Sequence, residues 1–329
     1  MHRIRSMALV WAAAGLLSMP AWAFDLQAHR GCRGLLPENT LAAFEHALRL
    51  GVTTLEMDIA ITADGVPVIS HDPALNPSIT RDAKGRWLTE RGPLIRSMSL
   101  AQVQTYDVGR LDPSSRYARE FPNQQPRDGQ RIPTLASLFQ LVKDLGADQV
   151  RFDIETKINP HAPEATLPPE EFVQVLLGVI RQAGMVDRVM VQSFDWRTLE
   201  ILHRVEPAIR TMYLSVASEN FHNLKDGSWN AGHRLADHGG SVPRLVRAAA
   251  GDHAGSIWAP YHGNLTPEAL KEAQALKLVV IPWTVNQPDV MQRLIDWGVD
   301  GIITDSPDRL REVMRERRMP LPAPAGARP

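Results

Sequence analysis

Strand-like apolar runs alternate with helix-like ones along most of the chain, the signature of βα units around a parallel sheet. The first pair sets the pattern. FDLQAHR (24–30) reads as a strand. NTLAAFEHALRLG (39–51) reads as a helix, with Leu41, Phe44, Ala47 and Leu48 on one face, Asn39 as its cap and Gly51 at its end. TTLEMDIAIT (53–62) and VPVIS (66–70) are strands joined by Ala63-Asp64-Gly65, a tight-turn signal. QVRFDIETK (149–157), RVMVQSF (188–194), IRTMYLS (209–215), LKLVVIPWTV (276–285) and VDGIITD (299–305) follow, with GSIWAP (255–260) as a weaker strand. Helical patterns over 168–183, 195–205, 266–276 and 288–297 fill the gaps. These nine strand-like runs are one too many for an eight-stranded ring, so either the piece around Asp64-Gly65 or GSIWAP is expected outside it.

A (β/α)8 TIM barrel over residues 24–316 accounts for the length and the alternation. An open doubly wound sheet is the rival, but no G-x-G-x-x-G turn follows any strand. The segment 73–132 breaks the rhythm and reads as a small insertion between the His71 strand and the next helix. Ser99 and Gln102 within it fit a capping box. Residues 317–329 are Pro/Ala-rich and are expected to be disordered.

The first 23 residues stand apart. Arg3 and Arg5 precede an apolar run from Met7 to Leu17, then Pro20 and Ala21-Trp22-Ala23. That order reads as a secretory signal peptide cut after Ala23, and the run is too short to span a membrane. The expected location is therefore the periplasm or the medium, with no stable membrane anchor. A net charge of −1 argues against nucleic acid as a partner and against a polybasic membrane surface. Cys32 is the single cysteine, so no internal disulfide is available. The oligomeric state is not legible.

In such a barrel the chemistry gathers at the C-terminal ends of the strands. His29 and Arg30 end the first; Glu56 and Asp58 lie at the end of the second; Asp153, Glu155 and Lys157, then Gln192 and Ser193, then Trp283 and Thr284 end later ones. Strand side chains alternate, so Glu56 and Asp58 share a face, as do Glu155 and Lys157. Three carboxylates converging from two strands repel unless a cation or proton lies between them. Hard oxygen ligands suit Mg²⁺ or Ca²⁺. His29 and His71 follow strands directly and are the proton-handling candidates, with Asp72 placed to fix a tautomer.

HRG (29–31) with PENT (37–40), LEMDIAITADGVPVISHD (55–72), IPTL (132–135), FDIETK (152–157), QSF (192–194), WTVN (283–286) and GVDGIITDSPD (298–308) resemble the glycerophosphodiester phosphodiesterase family in order and coverage. The resemblance implies metal-dependent hydrolysis of a small glycerophosphodiester to glycerol 3-phosphate and an alcohol. It implies an acid/base pair in His29 and His71, and divalent-metal ligands (Ca²⁺ or Mg²⁺) in Glu56, Asp58 and Glu155. It also implies phosphate contacts from Arg30 and Lys157, an aromatic wall in Trp283 and a polar site residue in Glu38. Two departures stand out. Cys32 occupies a position where the family has a small residue, which would bring a thiol near the pocket. Ser256 to Pro260 and the stretch 217–240 match no family motif, and the latter reads as a lid, a substrate-choosing element or a plain surface excursion. A related phosphodiesterase acting on lysophospholipids is the alternative activity. A dead barrel used for binding is disfavoured because the histidines and carboxylates are all present. A transition-metal hydrolase built on His222, His233 and His238 is disfavoured because no carboxylate strand adjoins them.

Overall fold

The computed structural model describes residues 24–326. The expected signal peptide and the last three residues of the tail lie outside them. Nine strands form one sheet: β1 (Asp25–Ala28), β2 (Thr54–Ile61), β3 (Pro67–Ile69), β4 (Arg151–Thr156), β5 (Val189–Ser193), β6 (Arg210–Ser215), β7 (Ile257–Pro260), β8 (Val279–Val280) and β9 (Gly301–Thr304). Eight run parallel in the order β8-β7-β6-β5-β4-β2-β1-β9. The seam between the first and last of these is bridged by backbone bonds, Asp300 N to Val280 O (3.0 Å) and Ile303 N to Pro282 O (3.0 Å). The ring is thus a nearly closed (β/α)8 barrel, as expected. The surplus strand is β3, which folds back antiparallel on β2 through the Asp64-Gly65 turn. GSIWAP supplies a ring strand, β7.

The helices are α1 (Leu41–Leu50), α2 (Leu100–Val103), α3 (Arg116–Glu120), α4 (Leu135–Asp144), α5 (Pro169–Ala183), α6 (Arg197–Val205), α7 (Val242–Ala250), α8 (Pro267–Ala275), α9 (Pro288–Trp297) and α10 (Pro307–Glu316). Thr40, not Asn39, caps α1: its hydroxyl accepts from Ala43 N (3.2 Å). Asn39 sits in the left-handed region at φ 55° and sends its amide into the barrel instead.

Alternation along each strand divides the core in two. Leu26, Leu55, Met57, Phe152 and Ile154 face outward and pack against helix residues such as Phe44, Leu138 and Phe139. Met190, Met212, Leu214, Ile257, Ala259, Ile281 and Ile303 form an apolar cluster of their own, supplied by β5, β6, β7, β9 and the residue after β8. The opposite wall of the barrel, from β1, β2 and β4, carries buried Gln27, Glu56, Asp58 and Asp153. Burying that many polar groups costs free energy that only partners can offset. Their placement in one half marks where ligand chemistry belongs.

The insertion packs as a satellite. Val68, Leu75, Ile95, Met98, Val103, Val108 and Ile132 form a small core separate from the main one. The capping box on α2 is present, with Ser99 Oγ accepting from Gln102 N and Gln102 Oε1 accepting from Ser99 N. The tail departs from the expected disorder over residues 317–326. Arg311 Nη1 donates to Pro322 O (2.9 Å), and Ala325 N donates to Leu48 O at the end of α1 (2.8 Å). Its prolines lower the entropy lost on ordering, so these few contacts suffice.

Candidate active site

The loop after β1 is tightly folded. Gly31 has φ +88°, and a Cβ there would lie 2.9 Å from Ala43 Cβ, so a side chain is excluded on two counts. Cys32 turns inward, fully buried, with Sγ donating to Ala43 O (3.3 Å). Burial pushes its thiol up to about 12. The thiol expected near the pocket is therefore a core group, because the loop's turn at Gly31 aims Cys32 at α1. Arg30, in the left-handed region at φ 51°, enters the site.

Glu56, Asp58 and Glu155 come together as the shared strand faces require. One oxygen from each lies within 4.8 Å of the other two. Glu56 and Asp58 are fully buried and Glu155 nearly so. Their surroundings divide the charge unevenly. Burial, then Asp58 and Asp153, push Glu56 well above the usual carboxylate range. Burial likewise raises Glu155 to about 7 despite the Lys157 ammonium at 2.7 Å. Asp58 goes the other way: burial opposes its charge, but His71, Arg30 and Lys157 outweigh it. Arg30 Nε lies 3.4 Å and Lys157 Nζ 3.7 Å from its oxygens, and Asn39 Nδ2 donates at 3.0 Å. Asp58 Oδ1 still has no hydrogen-bond partner. Three oxygen donors, two with proton affinity raised by burial and neighbouring like charge and one with an orphaned oxygen, fit a hard divalent cation.

The two histidines are each held by an acid. His29 Nδ1 lies 2.6 Å from Asp305 Oδ1, and its Nε2 lies 3.9 Å from Glu56 Oε2. His71 Nδ1 lies 3.1 Å from Asp72 Oδ1, the pairing that adjacency suggested. Asp305, with Arg33 and His29 beside it outweighing burial, is kept ionised, so it accepts from Nδ1–H and leaves Nε2 as a free acceptor. Burial and the neighbouring Arg33 lower His29 to about 4. Burial, Arg30 and Lys157 lower His71. Both imidazoles are thereby biased toward the neutral form, the form that accepts a proton.

His29, Arg30, His71, Glu155, Lys157 and Trp283 line one cavity. Glu38 lies outside that lining. Its Oε1 accepts from Arg30 Nη1 (2.9 Å), so it aims the guanidinium. Ser193 and Asp153 play no part in the cavity wall: Ser193 Oγ bonds Thr156 O, and Asp153 is buried deeper in the barrel. Several residues were not singled out from sequence. Asp305 and Asn286 (Nδ2 to Asp305 Oδ2, 2.6 Å) brace His29. Arg33 bonds Asp305 Oδ1 (2.6 Å) and Tyr117 (3.0 Å), and Tyr117 in turn bonds Glu38. Gln192, by contrast, is one of the strand-end residues named from sequence, and its Nε2 donates to Glu56 Oε1 (2.8 Å). Asp305 ends β9 as His29 ends β1, and that position was the available signal. Tyr117 comes from the insertion, where no periodicity marks it. His222, His233 and His238 form no metal cluster among the described residues.

A family model for the glycerophosphoryl diester phosphodiesterase family matches residues 29–309. A protein named glycerophosphodiester phosphodiesterase from Caldanaerobacter subterraneus subsp. tengcongensis is 26% identical over 291 residues, 88% of this chain and 97% of that one. A solved structure from Silicibacter pomeroyi, assigned to the glycerophosphoryl diester phosphodiesterases, is 35% identical with a TM-score of 0.80, covering 92% of this chain and 96% of its own. An Oleispira antarctica phosphodiesterase, solved with the product sn-glycerol-3-phosphate, shares the fold at 23% identity and a TM-score of 0.63, with 88% and 96% covered. The chain belongs to the glycerophosphoryl diester phosphodiesterase family.

Proposed function

We propose that this chain hydrolyses glycerophosphodiesters to glycerol 3-phosphate and an alcohol, with Glu56, Asp58 and Glu155 holding a Ca²⁺ or Mg²⁺ ion. The observation that carries the reading is the convergence of these three carboxylates beside Arg30, Lys157 and two histidines each held by an aspartate. The sn-glycerol-3-phosphate held by the Oleispira neighbour supports the product. The signal-peptide reading of residues 1–23 supports action outside the cytoplasm. Among the described residues no helix is long and apolar enough to cross a membrane.

A divalent cation in this site supplies Lewis-acid charge to a phosphate. The protein's own groups do the rest. Arg30 and Lys157 lie on the same carboxylates and present positive charge to the phosphoryl oxygens, where charge develops in the transition state. One imidazole, neutral, takes the nucleophile's proton at Nε2; the other acts as the acid only in its imidazolium form, having taken a proton from solvent, and gives its Nε2 proton to the leaving alcohol. Asp305 and Asp72 hold each ring by Nδ1, so Nε2 is the working atom in both. Trp283 is fixed by its indole N–H on Ala259 O (2.8 Å) and walls the cavity. Release of glycerol 3-phosphate from a defined diester tests the reading.

Cation affinity is expected to depend on pH. Glu155, raised to about 7, must lose its proton to bind a cation. Apparent affinity should therefore rise at least about tenfold between pH 6 and pH 8, the displaced Glu155 proton with a pKa of about 7 alone accounting for that factor and the raised Glu56 acting in the same direction. The sign for the cation-free protein is opposite. A carboxyl whose folded pKa exceeds its unfolded value binds more protons when folded, so stability falls as pH rises to about 7. Thermal-shift titrations with Ca²⁺ and Mg²⁺ at the two pH values check this; equal affinities at both would count against Glu155 as a ligand.

A further inference from the structure

One belt of hydrogen bonds and ion pairs links the two ends of the catalytic site. It starts at His29, whose Nδ1 meets Asp305, and passes from Asp305 Oδ1 to Arg33 Nε (2.6 Å). Arg33 Nη1 donates to the Tyr117 hydroxyl (3.0 Å), and that hydroxyl donates to Glu38 Oε2. Glu38 Oε1 accepts from Arg30 Nη1 (2.9 Å), and Arg30 Nε lies 3.4 Å from Asp58. Between Asp305 and Asp58, Tyr117 is the only uncharged link, and it alone comes from the insertion, on α3. A phenol donates and accepts at once, so it fits between a carboxylate and a guanidinium where a charged group would repel one of them. Burial and the Glu38 carboxylate push the phenol far up, so it stays protonated. The segment around Tyr117 holds the loop after β1. Phe121 packs edge-on to Tyr117 (centroids 5.2 Å apart) and lies 4.9 Å from the Arg33 guanidinium carbon. Gln124 Nε2 donates to Arg33 O (2.7 Å), and Gln125 N donates to Leu35 O (2.8 Å). Tyr117 and Phe121 stand outside both the main core and the insertion's own, so core packing does not account for them.

We infer that Arg33 is a further phosphate-binding residue of this site and that Tyr117 is the positioning residue that sets its place relative to Arg30. The inference rests on the phosphodiesterase reading above and adds two residues to it. Arg33 lines the same cavity as Arg30, Lys157 and both histidines. Its bonds to Asp305 and Tyr117 engage Nε, one N–H of Nη1 and, at 3.5 Å, one N–H of Nη2. A guanidinium carries its N–H groups in a planar fork, two on each terminal nitrogen, so one on each remains for a ligand. Such a fork matches the oxygens of a phosphate. Arg30 reaches the cavity from the carboxylates of the candidate cation site, and Arg33 reaches it from the aspartate that holds His29. A phosphate that meets both is oriented as well as neutralised. That orientation is lost when either arm moves. Tyr117 ties the two arms together, directly to Arg33 and through Glu38 to Arg30.

The test uses the full chain with its divalent cation and a glycerophosphodiester as substrate, and it also measures competitive inhibition by glycerol 3-phosphate. Tyr117→Phe keeps the ring on Phe121 and deletes the hydroxyl. It should lower kcat/KM roughly tenfold to hundredfold and weaken inhibition in the same direction. Arg33→Met keeps the stem and deletes the fork, while Asp305 retains His29 and Asn286. It should weaken inhibition roughly tenfold. The double variant should lose less than the product of the two single losses, because Tyr117 acts through Arg33. Val103→Ala is the control, since it loosens the insertion's core without touching the belt. It should keep kcat/KM within about twofold of wild type even where its melting temperature falls. Wild-type kinetics in Tyr117→Phe, fully multiplicative losses, or an equal loss in Val103→Ala would each overturn the inference and leave the phosphodiesterase reading intact. If Tyr117→Phe does not fold, Arg33→Met decides alone, and unchanged inhibition by glycerol 3-phosphate overturns the inference. Absence of turnover by the wild-type protein on every diester would overturn both.

Discussion

His29→Ala and His71→Ala should each lower kcat by roughly 10²–10⁴-fold, the usual worth of a positioned acid or base. The fold should survive both changes. Asp305 keeps Arg33 and Asn286 as partners when His29 is removed, and Asp72 keeps Asn76 when His71 is removed. Melting temperatures near that of wild type would therefore accompany the lost turnover. Asp305→Asn is the finer probe. It retains the side chain's size but can place either of its two polar ends against Nδ1, so the free Nε2 acceptor is no longer enforced. Turnover should fall without loss of substrate binding. Near-native turnover in either alanine variant would remove that histidine from the mechanism.

Arg30→Ala is expected to cost about 3–5 kcal/mol of stability in addition to activity, because it strips a partner from buried charge. Glu38 and Asp58 are both buried, and the guanidinium meets them at 2.9 and 3.4 Å. Removing it leaves Glu38 with Tyr117 and Asp58 with Lys157 and Asn39. Arg30→Lys separates the two contributions. The ammonium can reach one carboxylate but cannot fork between them, so stability should recover in part and turnover should remain low. Urea denaturation of the three proteins, with kcat measured on the same preparations, checks both. A stability change below about 1 kcal/mol for the alanine variant would contradict the buried-charge account.

Much of this site was legible because strand periodicity is strict. Glu56 and Asp58 are two residues apart on β2, and Glu155 stands opposite Asp58 in the β2–β4 register. Alternation and adjacency alone bring the three acids together. The same logic assigned His29 to the mouth of the ring. It did not reach Asp305 or Arg33, whose roles depend on β9 closing next to β1 and on the course of the loop after Gly31. Tyr117 was out of reach for a different reason. It belongs to a five-residue helix in the insertion, and its contacts with Arg33 and Glu38 span 84 and 79 positions of sequence. Cys32 was misplaced by its neighbours: one left-handed glycine turns the chain so that a residue flanked by site arginines enters the core. The cap of α1 was missed by one position because Asn39 and Thr40 are both good caps, and only the tertiary fold gives Asn39 a better partner in Asp58.

The most direct measurement of the central claim is release of glycerol 3-phosphate from glycerophosphocholine by the purified protein. It is made first after metal stripping, then with Ca²⁺ or Mg²⁺ restored. The account predicts no product from the stripped protein, product on adding a divalent cation, and no such rescue in an Asp58→Asn/Glu155→Gln variant that remains folded. Cation-independent turnover, or full rescue of that variant, would contradict the assignment of Glu56, Asp58 and Glu155 as the cation site.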